Sequence, residues 1–311
     1  MRFCVTGGCG FIGSNIVHAL VEQGREVVAV DNMVTGRMEN LEGVLDDLFM
    51  FVEGDVADSG IAEVVTRGCD YVLHQAALGS VPRSVADPLA TNINNTCSTI
   101  SMLAAARKSG VKRFVYASSA SIYGDTGAVK KVETLPPNPV NPYAVSKMAC
   151  EEYVKVCEKV HGMETVSLRY FNVFGPRQSP DGPYAAVVPR FIEAMMKLES
   201  PEIYGDGEQF RDFTYVDNVV QANILACMPG VATGGFYNIG AGGRMSINEL
   251  FQAIARNLGV VVTPTYKETR KGDVFGSIAD ITKARTMLRY EPEPRVDEGV
   301  RKTVEWFSER R

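Results

Sequence analysis

Cys4-Val5-Thr6-Gly7-Gly8-Cys9-Gly10-Phe11-Ile12-Gly13 is the stretch that decides the fold of this 311-residue chain. Its glycines at positions 8, 10 and 13 satisfy the pattern G-x-G-x-x-G. They lie between an apolar run, Phe3–Thr6, and an amphipathic stretch, Phe11–Gln23, and so join a predicted strand to a predicted helix. Glycine permits the tight turn, lets the backbone approach a pyrophosphate, and leaves the N–H groups of the helix N-terminus open to an anion. The stretch therefore predicts a dinucleotide site.

Short apolar runs alternate with longer periodic stretches through the first half of the chain. Six runs are predicted to be buried strands: Phe3–Thr6, Val27–Val30, Phe49–Val52, Tyr71–Leu73, Phe114–Ala117 and Val166–Leu168. This alternation predicts an α/β fold with a doubly wound parallel sheet of the Rossmann type. After residue 172, prolines and glycines break the sequence into short elements. We predict a Rossmann domain over residues 1–172 and a smaller α/β lobe over 173–311, with the chain crossing between the lobes.

The end of the second predicted strand indicates which dinucleotide binds. Asp31 follows Gly13 by eighteen residues. A carboxylate at this position accepts hydrogen bonds from ribose hydroxyls and repels a 2′-phosphate, which favours NAD over NADP. Arg37 could serve a 2′-phosphate and keeps NADP as an alternative.

A tyrosine and a lysine suited to proton transfer stand four residues apart in Tyr143-Ala144-Val145-Ser146-Lys147. On a helix this spacing places both side chains on one face. A tyrosine normally loses its proton near pH 10, and we expect the ammonium and a positive nicotinamide to lower that pKa. The serines of Ser118-Ser119-Ala120-Ser121 end a predicted strand about 24 residues earlier. Together these residues predict acid–base chemistry beside the cofactor.

The bulk composition argues against several classes of protein. The formal net charge of −5 does not favour a nucleic-acid-binding surface, and no run approaches the roughly 18 apolar residues of a membrane span. The seven cysteines are scattered and lack a C-x-x-C pair, which fits reduced thiols better than disulfides or a zinc site. We therefore expect a cytoplasmic protein with no metal, no nucleic-acid partner and no membrane association.

Taken together, the motifs resemble those of the extended short-chain dehydrogenases/reductases, and within them the UDP-hexose (UDP-glucose or UDP-N-acetylglucosamine) 4-epimerases. The resemblance covers essentially the whole chain. Its marks are TGGCGFIG at 6–13, Asp31-Asn32, Gly54-Asp55-Val56, His74-Gln75-Ala76-Ala77, SSASIYG at 118–124, YAVSK at 143–147 and LRYFNVFG at 168–175.

The resemblance implies a set of site residues around NAD. The implied cofactor residues are Gly7, Gly10, Phe11, Ile12, Gly13, Asp31, Asn32, Asp55, Val56, Gln75, Ala76, Ala77, Asn92, Tyr143 and Lys147. In the implied catalytic set, Ser119 binds the sugar 4-hydroxyl, Tyr143 is the base, and Lys147 binds the nicotinamide ribose. Ser118 and Ser121 remain alternatives to Ser119. Gly79 is a departure, because some 4-epimerases carry lysine there, and it puts one pyrophosphate contact in doubt.

The second lobe is implied to hold a UDP-sugar. By resemblance, Arg211 and Arg270 clamp the diphosphate, Tyr204 lies beside the uracil, and Asp273 accepts from the ribose. The full implied substrate set is Ser119, Ser121, Tyr143, Asn172, Val188, Tyr204, Arg211, Arg270, Asp273 and Ser277. Ser277 is small, as is the residue at this position in epimerases that admit a 2-acetamido group. The stretch around Val188 also resembles the epimerases that prefer N-acetylhexosamines.

The motif after Ser119 favours one reaction. Related dehydratases and decarboxylases carry acidic residues where this chain has Ala120 and Ser121. We therefore expect NAD-dependent C4 epimerisation of UDP-GlcNAc/UDP-GalNAc, UDP-Glc/UDP-Gal or both, through a 4-keto sugar.

Three alternative functions remain open, and so does the oligomeric state. One is a UDP-glucuronate 4-epimerase, for which Arg83 is a conceivable carboxylate partner. The second is another NDP-sugar epimerase or dehydratase, and the third a non-enzymatic NAD-binding scaffold or sensor. The family resemblance also implies a homodimer formed through helices near Pro88–Lys108 and Tyr143–Val160.

Overall fold

A computed structural model of the chain describes residues 1–44, 47–181, 185–269 and 275–310. The described strands, in chain order, are β1 (Arg2–Thr6), β2 (Glu26–Asp31), β3 (Phe49–Glu53), β4 (Tyr71–His74), β5 (Arg113–Ser119), β6 (Lys130–Lys131), β7 (Glu164–Tyr170), β8 (Val173–Phe174), β9 (Glu202–Tyr204), β10 (Phe210–Arg211), β11 (Thr214–Tyr215), β12 (Gly235–Ile239), β13 (Met245–Ser246), β14 (Thr265–Lys267) and β15 (Gly276–Ala279). The described helices are α1 (Phe11–Glu22), α2 (Ser59–Thr66), α3 (Val81–Ala86), α4 (Pro88–Asn92), α5 (Ser98–Lys108), α6 (Pro142–His161), α7 (Val187–Met196), α8 (Val216–Ala226), α9 (Ile247–Leu258), α10 (Thr282–Leu288) and α11 (Val296–Glu309).

The central sheet confirms the predicted doubly wound α/β fold. Its order is β12-β7-β5-β4-β1-β2-β3, and every neighbouring pair is parallel. All six predicted strands lie in it. The strand order turns back at β1, so the crevice between the ends of β1 and β4 is the place where such a sheet binds its ligand.

Apolar strands explain why this sheet is buried on both faces. Separate clusters of buried side chains fill its two sides, one including Val5 and Val115, the other including Cys4 and Phe114. These residues alternate along β1 and β5, as the two-residue period of a strand requires. The sheet is thus a rigid platform whose strand ends hold their positions.

The second lobe is built from short strands and its own apolar core. A four-stranded sheet runs β13-β10-β15-β6, and two-stranded ladders join β8 to β11 and β9 to β14. Helices α7, α9 and α11 pack over a third cluster that includes Phe191, Leu250 and Val304.

The chain crosses the boundary predicted at residue 172 in both directions. Strand β6, from the first half, pairs with β15 in the second-lobe sheet. Helix α8 and strand β12, from the second half, pack on and extend the central sheet. Across the described part of the chain, no helix has the length and apolar character needed to cross a membrane.

Candidate active site

The glycine loop lies where β1 passes into α1, at the turning point of the sheet. Gly7 has φ +66°, and a Cβ placed on Gly13 would overlap the carbonyl oxygen of Gly7. A Cβ on Gly8 would lie 2.7 Å from the Cβ of Ala29 on β2. The loop therefore has no room for a side chain at Gly7, Gly8 or Gly13, and glycines of the loop line the cleft as pyrophosphate binding requires.

Asp31 is held at the end of β2 with its carboxylate on the cleft. Its oxygens accept the N–H groups of Cys9 at 3.0 Å and Met33 at 2.9 Å. Burial raises the pKa of Asp31, and these backbone hydrogen bonds oppose the shift. A carboxylate fixed in this way suits the two hydroxyls of a ribose.

Arg37, the residue that kept NADP as an alternative, does not line this cleft. Its guanidinium pairs with Asp181 at 2.6 Å, and neither side chain lines the cofactor cleft. Nothing in that arrangement offers a cation to a 2′-phosphate.

Tyr143 and Lys147 lie in the first two turns of α6. Pro142 occupies the first turn, and the Asn141 side chain accepts the N–H of Ala144 at 2.9 Å, which begins the helix there. The Lys147 ammonium donates to the carbonyl of Ala117 at 2.7 Å and lies 5.9 Å from the centre of the Tyr143 ring. Both residues line the cofactor cleft.

Burial decides the ionisation of this pair. It lowers the pKa of Lys147 to about 8, while the nearby Cys150 and Glu151 act in the opposite sense. Burial raises the pKa of Tyr143, and a hydrogen bond with Ser119 only partly offsets this. In the protein alone, desolvation of the phenolate therefore outweighs the effect of Ser119 on the pKa of Tyr143. The predicted lowering, which includes the charge of a bound nicotinamide, stays a prediction.

The three candidate serines differ in where their hydroxyls point. The Ser118 hydroxyl donates to the buried carboxylate of Glu151 at 2.5 Å, so it is committed to the interior. Ser119 lies close enough to Tyr143 to lower the pKa of the phenol, and its oxygen accepts the N–H of Ser121 at 3.2 Å. The Ser121 hydroxyl is buried and has no hydrogen-bond partner among the described residues. Ser119 is therefore the serine best placed to share a ligand atom with Tyr143.

The cofactor cleft brings together all but one of the residues predicted to line it. The predicted residues that line it are Gly7, Gly10, Phe11, Ile12, Gly13, Asp31, Asn32, Asp55, Val56, Gln75, Ala76, Ala77, Tyr143 and Lys147. Sequence reasoning missed Asn94, Ser98 and Tyr170, which also line it.

Asn92 is the exception and needs correction. Its side chain is exposed, lies 3.9 Å from the Cys97 sulfur and does not line the cleft, whereas Asn94 does. Residues two apart on a helix point in nearly opposite directions. A π-helical turn over Ile93–Cys97 follows α4 at this point and leads into α5, and no sequence pattern announced it.

A second cleft continues from the cofactor cleft past Tyr143, which lines both. The predicted substrate residues found in it are Ser119, Ser121, Tyr143, Asn172, Arg211 and Ser277. Arg211 and Ser277 face each other across the β10–β15 pair. The buried Asp212 carboxylate holds that pair by accepting the N–H groups of Ala279, Ala241 and Gly242. Lys131, Asn141 and Gln178 line the cleft as well and were not predicted.

A third hollow opens beyond Arg211 and Asn172, which it shares with the second cleft. Tyr204 lines it, with its hydroxyl donating to Glu202 at 3.3 Å. Val188 does not, because it is 1% exposed and packs in the second-lobe core, whereas Val187 borders the hollow. The prediction for Val188 is thus off by one residue, or 100° around α7. Arg270 and Asp273 lie outside the described residues.

The residues of the first cleft fit an NAD molecule. The glycine loop, the fixed Asp31 carboxylate and the buried Lys147 ammonium match a pyrophosphate, a ribose and a second ribose in turn. Within the described residues, no group of three or more His, Cys, Asp or Glu side chains could hold a metal ion.

Comparisons with known proteins agree with this geometry. The model of the NAD dependent epimerase/dehydratase family matches residues 3–240. A UDP-glucose 4-epimerase of Mycolicibacterium smegmatis is 39% identical over 311 residues, with 99% of this chain and 98% of the relative covered.

Two solved structures superpose over almost the whole chain. One is a UDP-N-acetylglucosamine 4-epimerase of Methanobrevibacter ruminantium in complex with UDP-N-acetylmuramic acid, with 40% identity, a TM-score of 0.95, and 100% of this chain and 99% of that one covered. The other is a UDP-glucose 4-epimerase of Thermotoga maritima with UDP-glucose, with 39% identity, a TM-score of 0.94 and the same coverage. The chain therefore belongs to the NAD-dependent epimerase/dehydratase family, among its UDP-hexose 4-epimerases.

Proposed function

We propose that this chain interconverts the C4 epimers of a UDP-sugar, with NAD as its bound cofactor. The observation that carries the proposal is the position of Tyr143, which lines both clefts and shares the second cleft with Ser119. A sugar in the second cleft would present its 4-hydroxyl to Ser119 and Tyr143, with its C4 facing the first cleft.

The residues divide the chemistry between them. Ser119 holds the 4-oxygen, and the Tyr143 oxygen takes the hydroxyl proton and later returns it. Lys147 holds its charge behind the tyrosine ring and favours the phenolate when the oxidised cofactor adds its own positive charge. NAD, when bound, supplies the hydride acceptor and donor for C4. Once the 4-keto sugar has turned over in the second cleft, Tyr143 protonates the oxygen of the opposite epimer.

The second cleft is proposed to hold the rest of the nucleotide sugar. Arg211 would meet the diphosphate, since a guanidinium fork suits paired oxygens. Tyr204 would lie beside the uracil, and Asn172 between the two hollows would reach the phosphate or sugar. Arg270 and Asp273 remain proposed ligands on the family resemblance alone.

The small Ser277 favours a broad sugar pocket. It lines the second cleft opposite Arg211, where a bulkier residue would restrict space beside the sugar. We therefore propose UDP-GlcNAc and UDP-GalNAc as substrates, with UDP-Glc and UDP-Gal also admitted.

Proton NMR of the purified protein tests the proposal directly. UDP-GlcNAc, UDP-Glc and UDP-glucuronate are mixed with it separately, first without added NAD and then with it. Appearance of the matching 4-epimer supports the proposal, and conversion without added NAD shows that the cofactor is retained. If no UDP-sugar is converted even with NAD, the proposed function is wrong.

A homodimer is proposed because two exposed apolar stripes run side by side on the surface. Their members recur at intervals of three, four or eight residues, as on one helix face. The first comprises Leu89, Ile93, Cys97 and Ile100, and the second, on α6, comprises Val145, Tyr153, Val156 and Val160. A second copy of the chain would bury both stripes in a four-helix bundle.

The compartment and the lobe division are proposals as well. All seven cysteines are free, and six of them are buried, which suits the cytoplasm. We propose residues 1–172 as the NAD-binding domain and 173–311 as the nucleotide-sugar lobe, with β6, α8 and β12 as the crossing elements.

A further inference from the structure

Lys131 is a buried cation in the sugar cleft. Pairing across the second-lobe sheet places it there, because Lys131 pairs with Ala279 on β15 and Arg211 pairs with Ser277 on the same strand. Ser277 and Ala279 are two residues apart, so all four side chains share one face of the sheet. Lys131, Ser277 and Arg211 all line the cleft. Arg211 thus stands at one end of this row and Lys131 at the other.

The charge of Lys131 is not balanced by a carboxylate. The residue is 2% exposed, and its ammonium donates to the Thr126 hydroxyl at 2.8 Å and the Gly124 carbonyl at 3.5 Å. It makes no ion pair with any residue that the structure describes. Burial lowers its pKa, and the nearby Asp125 only partly offsets this.

The neighbouring lysine behaves in the ordinary way. The side chain of Lys130 is 62% exposed and pairs with Asp280 at 2.9 Å on the other face of β6. A buried ammonium without a counter-charge destabilises a fold, so a charge kept at position 131 points to an anion that enters the cleft.

We propose that Lys131 binds a carboxylate carried on the sugar ring, so that the chain accepts acidic UDP-sugars as well as neutral ones. The proposal rests on the proposed function, since it takes the cleft to hold a UDP-sugar. Two chemistries could supply the carboxylate: a uronate, at C5 of the ring, or an acid linked through the 3-oxygen.

The other cations near the site are less suited to this task. Lys147 donates to the Ala117 carbonyl on the cofactor side of Tyr143. Arg211 lies at the opposite end of the row and is needed for the diphosphate. Arg83, named from sequence as a carboxylate partner, does not line the sugar cleft, although Val81 on the same helix does. Lys131 therefore replaces Arg83 as the residue expected to recognise an acidic sugar.

Binding calorimetry with NAD-loaded protein tests the proposal separately from turnover. The probes are UDP-glucose, UDP-glucuronate and UDP-N-acetylmuramate, which carry no carboxylate, a C5 carboxylate and an O3-linked carboxylate. The variants are Lys131→Met, Lys131→Arg and, as a matched control, Lys130→Met.

We expect Lys131→Met to weaken binding of at least one acidic probe by roughly 30-fold or more, as loss of a buried charge partner does. UDP-glucose should change by less than about threefold, Lys131→Arg should retain most of the acid affinity, and Lys130→Met should leave the ratio unchanged. Thermal melting shows whether each variant is folded, and Lys131→Met is expected to be at least as stable as wild type. The acid that loses affinity identifies the position of the carboxylate.

Equal effects of Lys131→Met on all three probes, or none on either acid, would overturn the assignment of Lys131. An equal shift from Lys130→Met would also overturn it. A wild-type protein that binds these sugars but epimerises none of them in the NMR assay would instead contradict the proposed function. The two failures are therefore distinguishable.

Discussion

The cofactor cleft and the sugar cleft share Tyr143 but are built in different ways. The first is formed at the ends of neighbouring strands of one parallel sheet, β1, β2 and β4, by the glycine loop, Asp31 and residues of α6. The second depends on a sheet of two- to four-residue strands drawn from four distant segments. Its key pair, Arg211 and Ser277, is held in register by Asp212.

The difference explains why cofactor binding should be fixed in this fold while sugar specificity can vary. A loop whose glycine positions have no space for a Cβ tolerates few changes, so the cofactor cleft is constrained to one kind of ligand. The sugar cleft presents side chains from a small sheet, and a change at one position alters what it admits without disturbing the central sheet. The predictions below concern the cofactor cleft, the sugar cleft and Tyr143, which lines both.

The largest effect is expected at Tyr143, which both clefts share. Tyr143→Phe removes the oxygen that exchanges a proton with the sugar, and should lower kcat by roughly 1,000-fold. Both ligands should still bind, because the ring remains in place. Steady-state epimerisation and binding calorimetry measure the two quantities. Tyr153→Phe, on the exposed face of the same helix, is the control, and a similar loss there would refute a specific role for Tyr143.

In the cofactor half, Gly13→Ala should abolish NAD retention. The added methyl would overlap the Gly7 carbonyl, so the loop must open where it faces the pyrophosphate. Bound cofactor per chain, released by denaturation and quantified by chromatography, is the readout. Gly243→Ala is the control, because a Cβ there meets nothing within 4 Å. Full NAD content in Gly13→Ala would show that the loop is not the pyrophosphate site.

Between the halves, Arg169→Met should cost about 3–5 kcal/mol of unfolding free energy. Arg169 is 1% exposed and pairs with Glu151, which also receives the Ser118 hydroxyl. Arg169 also donates to the Tyr123 hydroxyl, which in turn donates to Asn238 on β12. Urea denaturation measures the change. Arg301→Met, which removes an exposed pair with Glu298, should cost under about 1 kcal/mol, and equal costs would contradict the prediction.

In the sugar half alone, Ser277→Tyr should narrow specificity. The larger side chain should lower kcat/KM for UDP-GlcNAc relative to UDP-Glc by roughly tenfold or more, since a pocket wall discriminates on this scale. Ser277→Ala keeps the space and should leave the ratio unchanged. The idea fails if the tyrosine variant retains the wild-type ratio while its NAD content is normal.

A last prediction is a pH dependence set by Lys147, whose effect is only about twofold near pH 8. Its pKa is lowered to about 8, so the ammonium is present at neutral pH and is lost as the pH rises through that value. We expect kcat/KM to fall by half near pH 8 and about tenfold per unit above it. Initial rates between pH 6 and 10 measure this fall in kcat/KM, and circular dichroism checks that the protein stays folded. A flat profile to pH 10 would contradict this role of the charge.

The two halves also differed in how far the sequence predicted them. The glycine loop and Asp31 are encoded locally, by spacing within one strand–turn–helix unit, and their placement followed from that spacing. Strand β12 was missed because Gly235–Ile239 lies beyond the proline- and glycine-rich region, and only long-range pairing with β7 makes it part of the central sheet.

The misplaced site residues have a common physical cause. Asn92 and Val188 lie near the ends of helical segments, where a shift of one or two residues rotates a side chain away from the site. Lys131 carried no signal at all, because Lys130-Lys131 reads as a solvated pair of charges. Only the pairing of β6 with β15 turns one of the two inward.

The crossing of β6 and β12 between the two sheets has a consequence for protein engineering. A sugar lobe transplanted as a C-terminal cassette from residue 173 onward would leave Lys130–Lys131 behind and carry away the outer strand of the recipient's central sheet. Chimaeras with related enzymes should therefore exchange three pieces: the segment around β6, the stretch from β8 to β11, and the stretch from β13 to the end, while α8 and β12 stay with the host. The residues that determine sugar specificity are therefore spread over separate segments of the chain and cannot be exchanged as one continuous domain.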